Sequence, residues 1–262
     1  MERKDILDTI YASGREDARL TGSRQGQLEY LTTLHYIHRL LPKGSRLMEV
    51  GAGTGRYSIA LAKEGYPTTA VELVEANLQV LRRNAIGVDN LSAHQGDATD
   101  LSRWQDNSFD GVLLLGPMYH LYTAEEQHKA LDEVIRVTRP GGIIMAAFLS
   151  VHAILYNNYL SGNFQEGLEE NFDSEGRVRH FQEQCFTGFD VPELESLFWG
   201  KPVQQLHLLG TDSVLELASR TPGFHLDDAD FAAFTRYHLR TCEKRELLGG
   251  HSHLLWVGRK ES

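Results

Sequence analysis

Three carboxylates and an imidazole stand at spacings that permit chemistry. Glu49 leads into Gly51-Ala52-Gly53-Thr54-Gly55, Glu72 lies roughly 20 residues beyond Gly51, and Asp97 follows Gly96. Glycines in that rhythm let a ligand lie against the backbone with no Cβ in the way. Exposed amides at the start of the next helix then favour a polar or anionic group. A carboxylate placed like Glu72 can accept hydrogen bonds from both hydroxyls of a ribose, a charge-assisted pairing. Tyr119 and His120 follow an apolar run, where an imidazole near neutral pKa can take a proton from a hydroxyl, thiol or amine. His152 and His180 flank an aromatic-rich stretch and are further candidates to meet a substrate. The competing reading of each lone histidine is structural, and for His120 it is a helix cap.

These residues need elements to hold them. Leu47, Met48 and Val50 read as a short buried strand, and residues 57–63 as the helix after the glycine turn. A second strand at 67–71 ends on Glu72, and Val74, Leu78 and Leu81 recur at helical spacing over 74–84. Residues 91–95 form a third strand. Residues 109–115 are almost continuously apolar, as expected of a strand buried on both faces. Thr123 and Glu126 have capping-box spacing ahead of a helix whose apolar face is Leu131, Val134 and Ile135. Pro140-Gly141-Gly142 is expected to stop that helix, and 143–149 to form strand five. Strands separated by helices imply right-handed crossovers and a parallel sheet covered on both faces. Residues 203–209 and 253–257 read as two final strands.

The glycine run with its preceding acid resembles the first motif of the class I S-adenosylmethionine (SAM)-dependent methyltransferases. Gln95-Gly96-Asp97-Ala98 resembles that family's third motif, residues 108–121 its fourth, and Val137-Thr-Arg-Pro-Gly-Gly142 its turn before strand five. The resemblance is specific over 46–150 and loose elsewhere. It implies an α/β fold: a doubly wound, Rossmann-like, seven-stranded and mostly parallel sheet whose last strand is antiparallel. One domain would span 1–262, with an N-terminal helical cap (1–45), a SAM-binding core (46–150), an aromatic-rich insertion between strands five and six (151–202), and strands six and seven (203–262). The implied cofactor is SAM, leaving as S-adenosylhomocysteine (SAH). Glu49, Gly51, Ala52, Gly53 and Gly55 would surround its amino-acid part, Glu72 and Leu73 its ribose, and Asp97 and Ala98 its adenine, with Leu115 alongside. Tyr11, Arg19 and Arg24 are placed to reach its carboxylate from a folded-over N-terminal segment, a solvated loop being the alternative. Tyr119 and His120 are the candidates for catalysis. A dinucleotide fingerprint would need glycine where Arg56 stands, so NAD chemistry is the weakest alternative.

Composition narrows the field further. The chain has 262 residues, 41% of them hydrophobic, and a net charge of −10, which argues against broad phosphate-backbone binding. No apolar run reaches the roughly 18 residues of a membrane span. The start, Met-Glu-Arg-Lys-Asp, lacks a signal peptide's apolar stretch. Cys185 and Cys242 are far apart and read as free thiols of a reducing cytoplasm. No metal is expected, because Leu115 and Gly116 stand where catechol-type relatives hold an acid. The leading expectation is methyl transfer to O, N or S of a small organic molecule, in the cytoplasm, with no membrane partner and a homodimer allowed. Methylation of RNA or protein, and SAM binding without catalysis, stay open as alternatives.

Overall fold

Alternate residues of the strands belong to two different apolar layers, and that alternation sets the architecture. The computed structural model describes residues 3–11 and 15–262; residues 1, 2 and 12–14 of the expected cap lie outside the described residues. The N-terminal half runs α1 (Arg3–Tyr11), α2 (Arg24–Leu40), β1 (Leu47–Val50), α3 (Arg56–Lys63), β2 (Thr68–Glu72), α4 (Glu75–Asn84), β3 (Leu91–Gln95), β4 (Phe109–Leu114) and α5 (Ala124–Val137). There follow β5 (Thr138–Leu149), α6 (Val151–Tyr159), α7 (Phe164–Asn171), α8 (Val191–Ser196), β6 (Val203–Gly210), α9 (Leu215–Ser219), α10 (Asp228–Thr241), α11 (Arg245–Leu248) and β7 (His253–Lys260).

The seven strands form one sheet in the order β3-β2-β1-β4-β5-β7-β6. Strands β1 to β5 pair in parallel, while β7 runs antiparallel to both of its neighbours. The carboxyl ends of β1, β2, β4 and β5 therefore share a rim with the amino end of β7, where His253 pairs with Leu149. Met48, Val112, Leu114, Ile144 and Trp256 pack with α5 and α8 on one face. Leu47, Leu113, Met145, Leu255 and Val257 pack with α2 and α3 on the other. Period-two alternation thus fills both layers from the same strands. Each fully buried aliphatic side chain here contributes about 1.5–3 kcal/mol of burial free energy.

Two local expectations change. Pro140-Gly141-Gly142 lies inside β5, whose pairing with β4 shifts register between Phe109 and Gly111, and Gly141 has a φ of +74°. The helix instead ends at Val137, where Thr138 turns extended and its hydroxyl donates to the Val134 carbonyl at 2.7 Å. At the other end of α5, Thr123 Oγ1 accepts the Glu126 amide at 3.2 Å. The reciprocal half of the box is replaced: the Glu126 carboxylate accepts from the Thr123 hydroxyl at 3.1 Å and lies 3.6 Å from Arg3. Of the insertion's aromatics, Phe189 and Phe198 are core, the latter stacked on Trp256 at 3.6 Å between centroids. Among the described residues only Phe186 of that group reaches the cavity above the sheet.

Candidate active site

The turn after β1 is held by backbone geometry. Gly51, Gly53 and Gly55 have φ of +78°, +55° and +88°, in the left-handed region that side chains disfavour. A Cβ on Gly51 would stand 2.5 Å from Pro117 Cδ, so the loop and the segment after β4 approach as closely as glycine allows. Glu72, at the end of β2, ties this loop to the next one. Its Oε2 accepts the Gly53 amide at 2.7 Å and its Oε1 the Val74 amide at 2.8 Å. A strand-end carboxylate of this kind suits the two hydroxyls of a ribose.

Asp97 is ordered from two sides. Its Oδ1 accepts from the amide and hydroxyl of Thr99, both at 2.9 Å, and its Oδ2 pairs with the Arg3 guanidinium of α1. Burial works to raise this carboxyl, but the Thr99 amide and Arg3 outweigh it and hold it below the usual carboxylate range. Glu49 lies on the far side of β1, 2% exposed, where the Ser58 amide donates to it at 2.9 Å and the Ser58 hydroxyl donates as well. Burial pushes the Glu49 carboxyl up to about 8 against those two donors.

Opposite the glycine turn, His120 and Tyr11 form a pair. The Cys185 carbonyl, 3.0 Å from His120 Nδ1, can only accept, so Nδ1 carries the proton. The bare Nε2 therefore accepts from the Tyr11 hydroxyl at 2.8 Å. Burial, with Arg3 nearby, lowers the imidazole to about 4 against the pull of the Cys185 carbonyl, so the ring is neutral near pH 7. Tyr119 stands between His120 and a second histidine, with ring centroids 5.3 Å from the first and 6.4 Å from His253.

His253 has the opposite electrostatics. Its Nδ1 donates to Asp212 Oδ2 at 2.7 Å and lies 3.7 Å from Glu29. Asp212 is fully buried, and it also accepts from Gln25 Nε2 at 2.9 Å and the Ser252 amide at 3.0 Å. Glu29 in turn holds Arg19 through two bonds of 2.8 and 3.0 Å. Burial alone would lower His253, but the Glu29 and Asp212 charges raise it to about 9. The ligand atoms of Glu29, Asp212 and His253 lie within 4.8 Å of one another, close enough to bracket a cation. Arg19 and the His253 proton already supply the positive charge there.

These groups open onto one cavity of about 410 Å³, reaching from Glu72 and Asp97 past Leu115 to Tyr119, His120 and His253. The family described as a methyltransferase domain matches residues 48–146, which carry the glycine turn, Glu72, Asp97 and His120. Residues 48–146 are thus similar to a methyltransferase domain. A demethylmenaquinone methyltransferase of Clavibacter sepedonicus is 40% identical over 102 residues, covering 39% of this chain and 40% of that protein. An S-adenosyl-L-methionine-dependent Diels-Alderase of Talaromyces variabilis is 33% identical over 106 residues, 39% of this chain and 35% of its own length. The chain thus spans about two fifths or less of these curated relatives. Among solved structures, the 1,6-didemethyltoxoflavin-N1-methyltransferase of Burkholderia thailandensis superposes with a TM-score of 0.60 at 16% identity, covering 98% of this chain and 88% of that one. A possible histamine N-methyltransferase of Thermotoga maritima gives 0.61 at 17% identity, covering 99% and 100%. At these identities the likeness is one of fold.

Within the methyltransferase domain and its cap, the cavity brings together Gly51, Gly53, Glu72, Leu73, Asp97, Ala98, Leu115, Tyr119 and His120 with Tyr11 and Arg19. Glu49 and Ala52 stand apart from it, against a small neighbouring cavity that Gly51, Gly53, Leu115 and Arg19 also border. Gly55 borders neither; it starts α3, and a Cβ there would meet Leu81 Cγ at 2.7 Å. Arg24 is turned away, bonded to the Leu226 carbonyl and Asp228 with its guanidinium over Phe231. His152 stacks on Phe172, and His180 is taken up by Thr187 and Glu193. Arg3, Asn157, Asp212 and His253 were not singled out from the sequence. A histidine opening an apolar strand was the one available signal, and it reads equally as a strand residue.

Proposed function

We propose that the protein moves a methyl group from SAM to an O, N or S atom of a small organic molecule by in-line displacement. The observation that carries this reading is the continuity of one cavity from the Glu72 and Asp97 end to the Tyr119, His120 and His253 end. The donor set fits SAM: glycines with no room for side chains, a strand-end carboxylate for vicinal hydroxyls, and Asp97 for an exocyclic amine. When bound, SAM supplies an electrophilic methyl carbon with its leaving group already activated. The chain's own contribution is to align the acceptor and exclude water, which together can supply about 7–11 kcal/mol. A protic acceptor loses its proton to the Tyr11 oxygen while the Tyr11 proton passes to His120 Nε2. His120 is neutral and poised to receive it because the Cys185 carbonyl fixes its tautomer.

A small acceptor is favoured over RNA or protein because α1 covers the cavity. Arg3 clamps Asp97 and Tyr11 clamps His120, one at each end of the helix. Calorimetric titration with SAM and SAH tests the cofactor. Glu72→Ala is expected to weaken both about 10–100-fold, the loss of charge-assisted hydrogen bonds worth about 1.5–3 kcal/mol. No binding of either by the folded wild-type protein would overturn the reading. Labelled-methyl transfer to a small-molecule panel then searches for the acceptor.

A further inference from the structure

His253 is the one charged side chain on the Tyr119 wall whose cavity-side atom is left over. Its Nδ1 is committed to Asp212, while Nε2 has no hydrogen-bond partner among the described residues. The ring borders the cavity. A carboxylate fully enclosed and accepting from His253, Gln25 and the Ser252 and His253 amides cannot turn away, so the imidazole is fixed in direction, and with Glu29 also 3.7 Å away the ring carries a proton on both nitrogens. Next to it, Asn157 is 8% exposed and also lines the cavity. Its Nδ2 donates to Ser252 Oγ at 3.2 Å, and its Oδ1 is buried with no partner. A buried polar atom left unpaired costs free energy, so this one calls for a donor from a ligand.

We propose that His253 and Asn157 form the acceptor subsite, His253 Nε2–H binding an anionic oxygen and Asn157 Oδ1 a hydrogen-bond donor on the same molecule. The methyl acceptor is then a small organic acid that also carries a protic group. This rests on the small-molecule methyltransferase reading above, whose cofactor half is separate from the subsite. The groups around His253 balance: Asp212 and Glu29 are negative, Arg19 and the imidazolium positive, and Tyr119 is the neutral neighbour. The remaining acid on this side, Glu216, is engaged by Gln25 at 3.3 Å and lies 3.7 Å from Arg220. Across Tyr119, neutral His120 has both ring nitrogens engaged and adds no charge. The subsite therefore discriminates by charge: a carboxylate is held at His253 and repelled by nothing closer than the paired Asp212 and Glu29.

The test uses the SAH-saturated protein, two probes of one shape, 4-hydroxybenzoate and uncharged 4-hydroxybenzamide, and the His253→Gln variant. SAH is titrated first, so failure of the cofactor reading shows itself before any probe is added. The wild type is expected to bind the benzoate at least about tenfold more tightly, equivalent to about 1.4 kcal/mol. His253→Gln is expected to remove that preference. Nitrogen-15 histidine spectra of the unaltered protein give a second readout independent of how well the variant folds: the benzoate should shift His253 Nε2 and leave His207 in place. Equal affinity for the two probes, no binding of the benzoate, a preference that survives His253→Gln, or an unmoved His253 resonance would each overturn the proposal.

Discussion

The two halves of the cavity are built by different means. The proposed cofactor half is mostly backbone and strand-end carboxylates drawn from one stretch, Gly51 to Ala98, in which chain order and spatial order coincide. The proposed acceptor half is side chains gathered from α1, α2, the turn after β4, α6, the end of the insertion and the amino end of β7. Contiguous backbone sites have a spacing that a sequence can display. Gathered sites do not, because the partners of His253, Asp212 and Glu29, are 41 and more than 200 residues away. The same contrast separates the two histidines. His120 is kept neutral by burial beside a carbonyl, and His253 is kept charged by two carboxylates.

That contrast can be broken from the acceptor side first. Once an acceptor is in hand, His120→Gln is expected to lower kcat by about 10²–10⁴, the range for losing a general base, with SAM affinity retained. In the wild type, the neutral ring proposed as base is lost only as pH falls toward about 4, so the acid limb of the rate profile should lie well below the ordinary histidine range near 6.5. An acid limb at 6.5, or a full-speed His120→Gln enzyme, would remove His120 from the chemistry.

Asp212→Asn comes next in size. It leaves His253 without its fixed partner in a fully buried setting, at an expected loss of about 3–5 kcal/mol by denaturant unfolding. The sign with pH follows from the raised His253 value. The pair's contribution is complete below about 6.5, where the unfolded histidine is also charged, and it fades as pH rises through about 9. Asp212→Asn should abolish that alkaline decline; a variant that keeps it would show that another group causes it.

Smaller effects sharpen the cofactor half. Glu49→Gln keeps an oxygen for the Ser58 amide and removes the titrating carboxyl, so it is expected to leave stability nearly unchanged near pH 4 and to raise it at pH 7. Because the Glu49 value is raised, its contribution is full at low pH and is lost as pH climbs from about 4.5 toward 8. Urea unfolding at several pH values should show a flatter slope in the variant. Thr123→Ala removes a helix cap outside the cavity and should cost about 1 kcal/mol with SAM affinity unmoved.

Legibility followed the same division. The central strands read as apolar runs, because a sheet covered on both faces leaves few alternatives for such segments, whereas edge strand β3 (Leu91–Gln95) holds only Leu91 and Ala93 as apolar residues and is partly exposed. The start of β5 departs from the sequence pattern: Pro140-Gly141-Gly142 punctuates a helix in sequence terms, yet here it forms an irregularity inside a strand. Glu49 shows how a motif position can be seen without its contacts. Period two sends it to the face opposite Met48 and Val50, against α3, and the donors waiting there belong to Ser58. Tyr11 is expected from the sequence to reach the site from a folded-over segment, but its bond to His120 and Arg3's to Asp97 have no local signal, because the nine-residue helix that holds them carries no motif.

The position of β7 also orders events during synthesis. It lies between β5 and β6, yet it follows every other strand in the chain. While the ribosome is still delivering residues 203–250, β6 has no partner and β5 presents an open edge, the kind of exposed strand that invites mispairing. The parallel strands β1 to β4 can associate meanwhile. His253 arrives with the strand that closes the gap, so a nascent chain acquires the proposed acceptor pocket last, after the proposed cofactor half has had time to form.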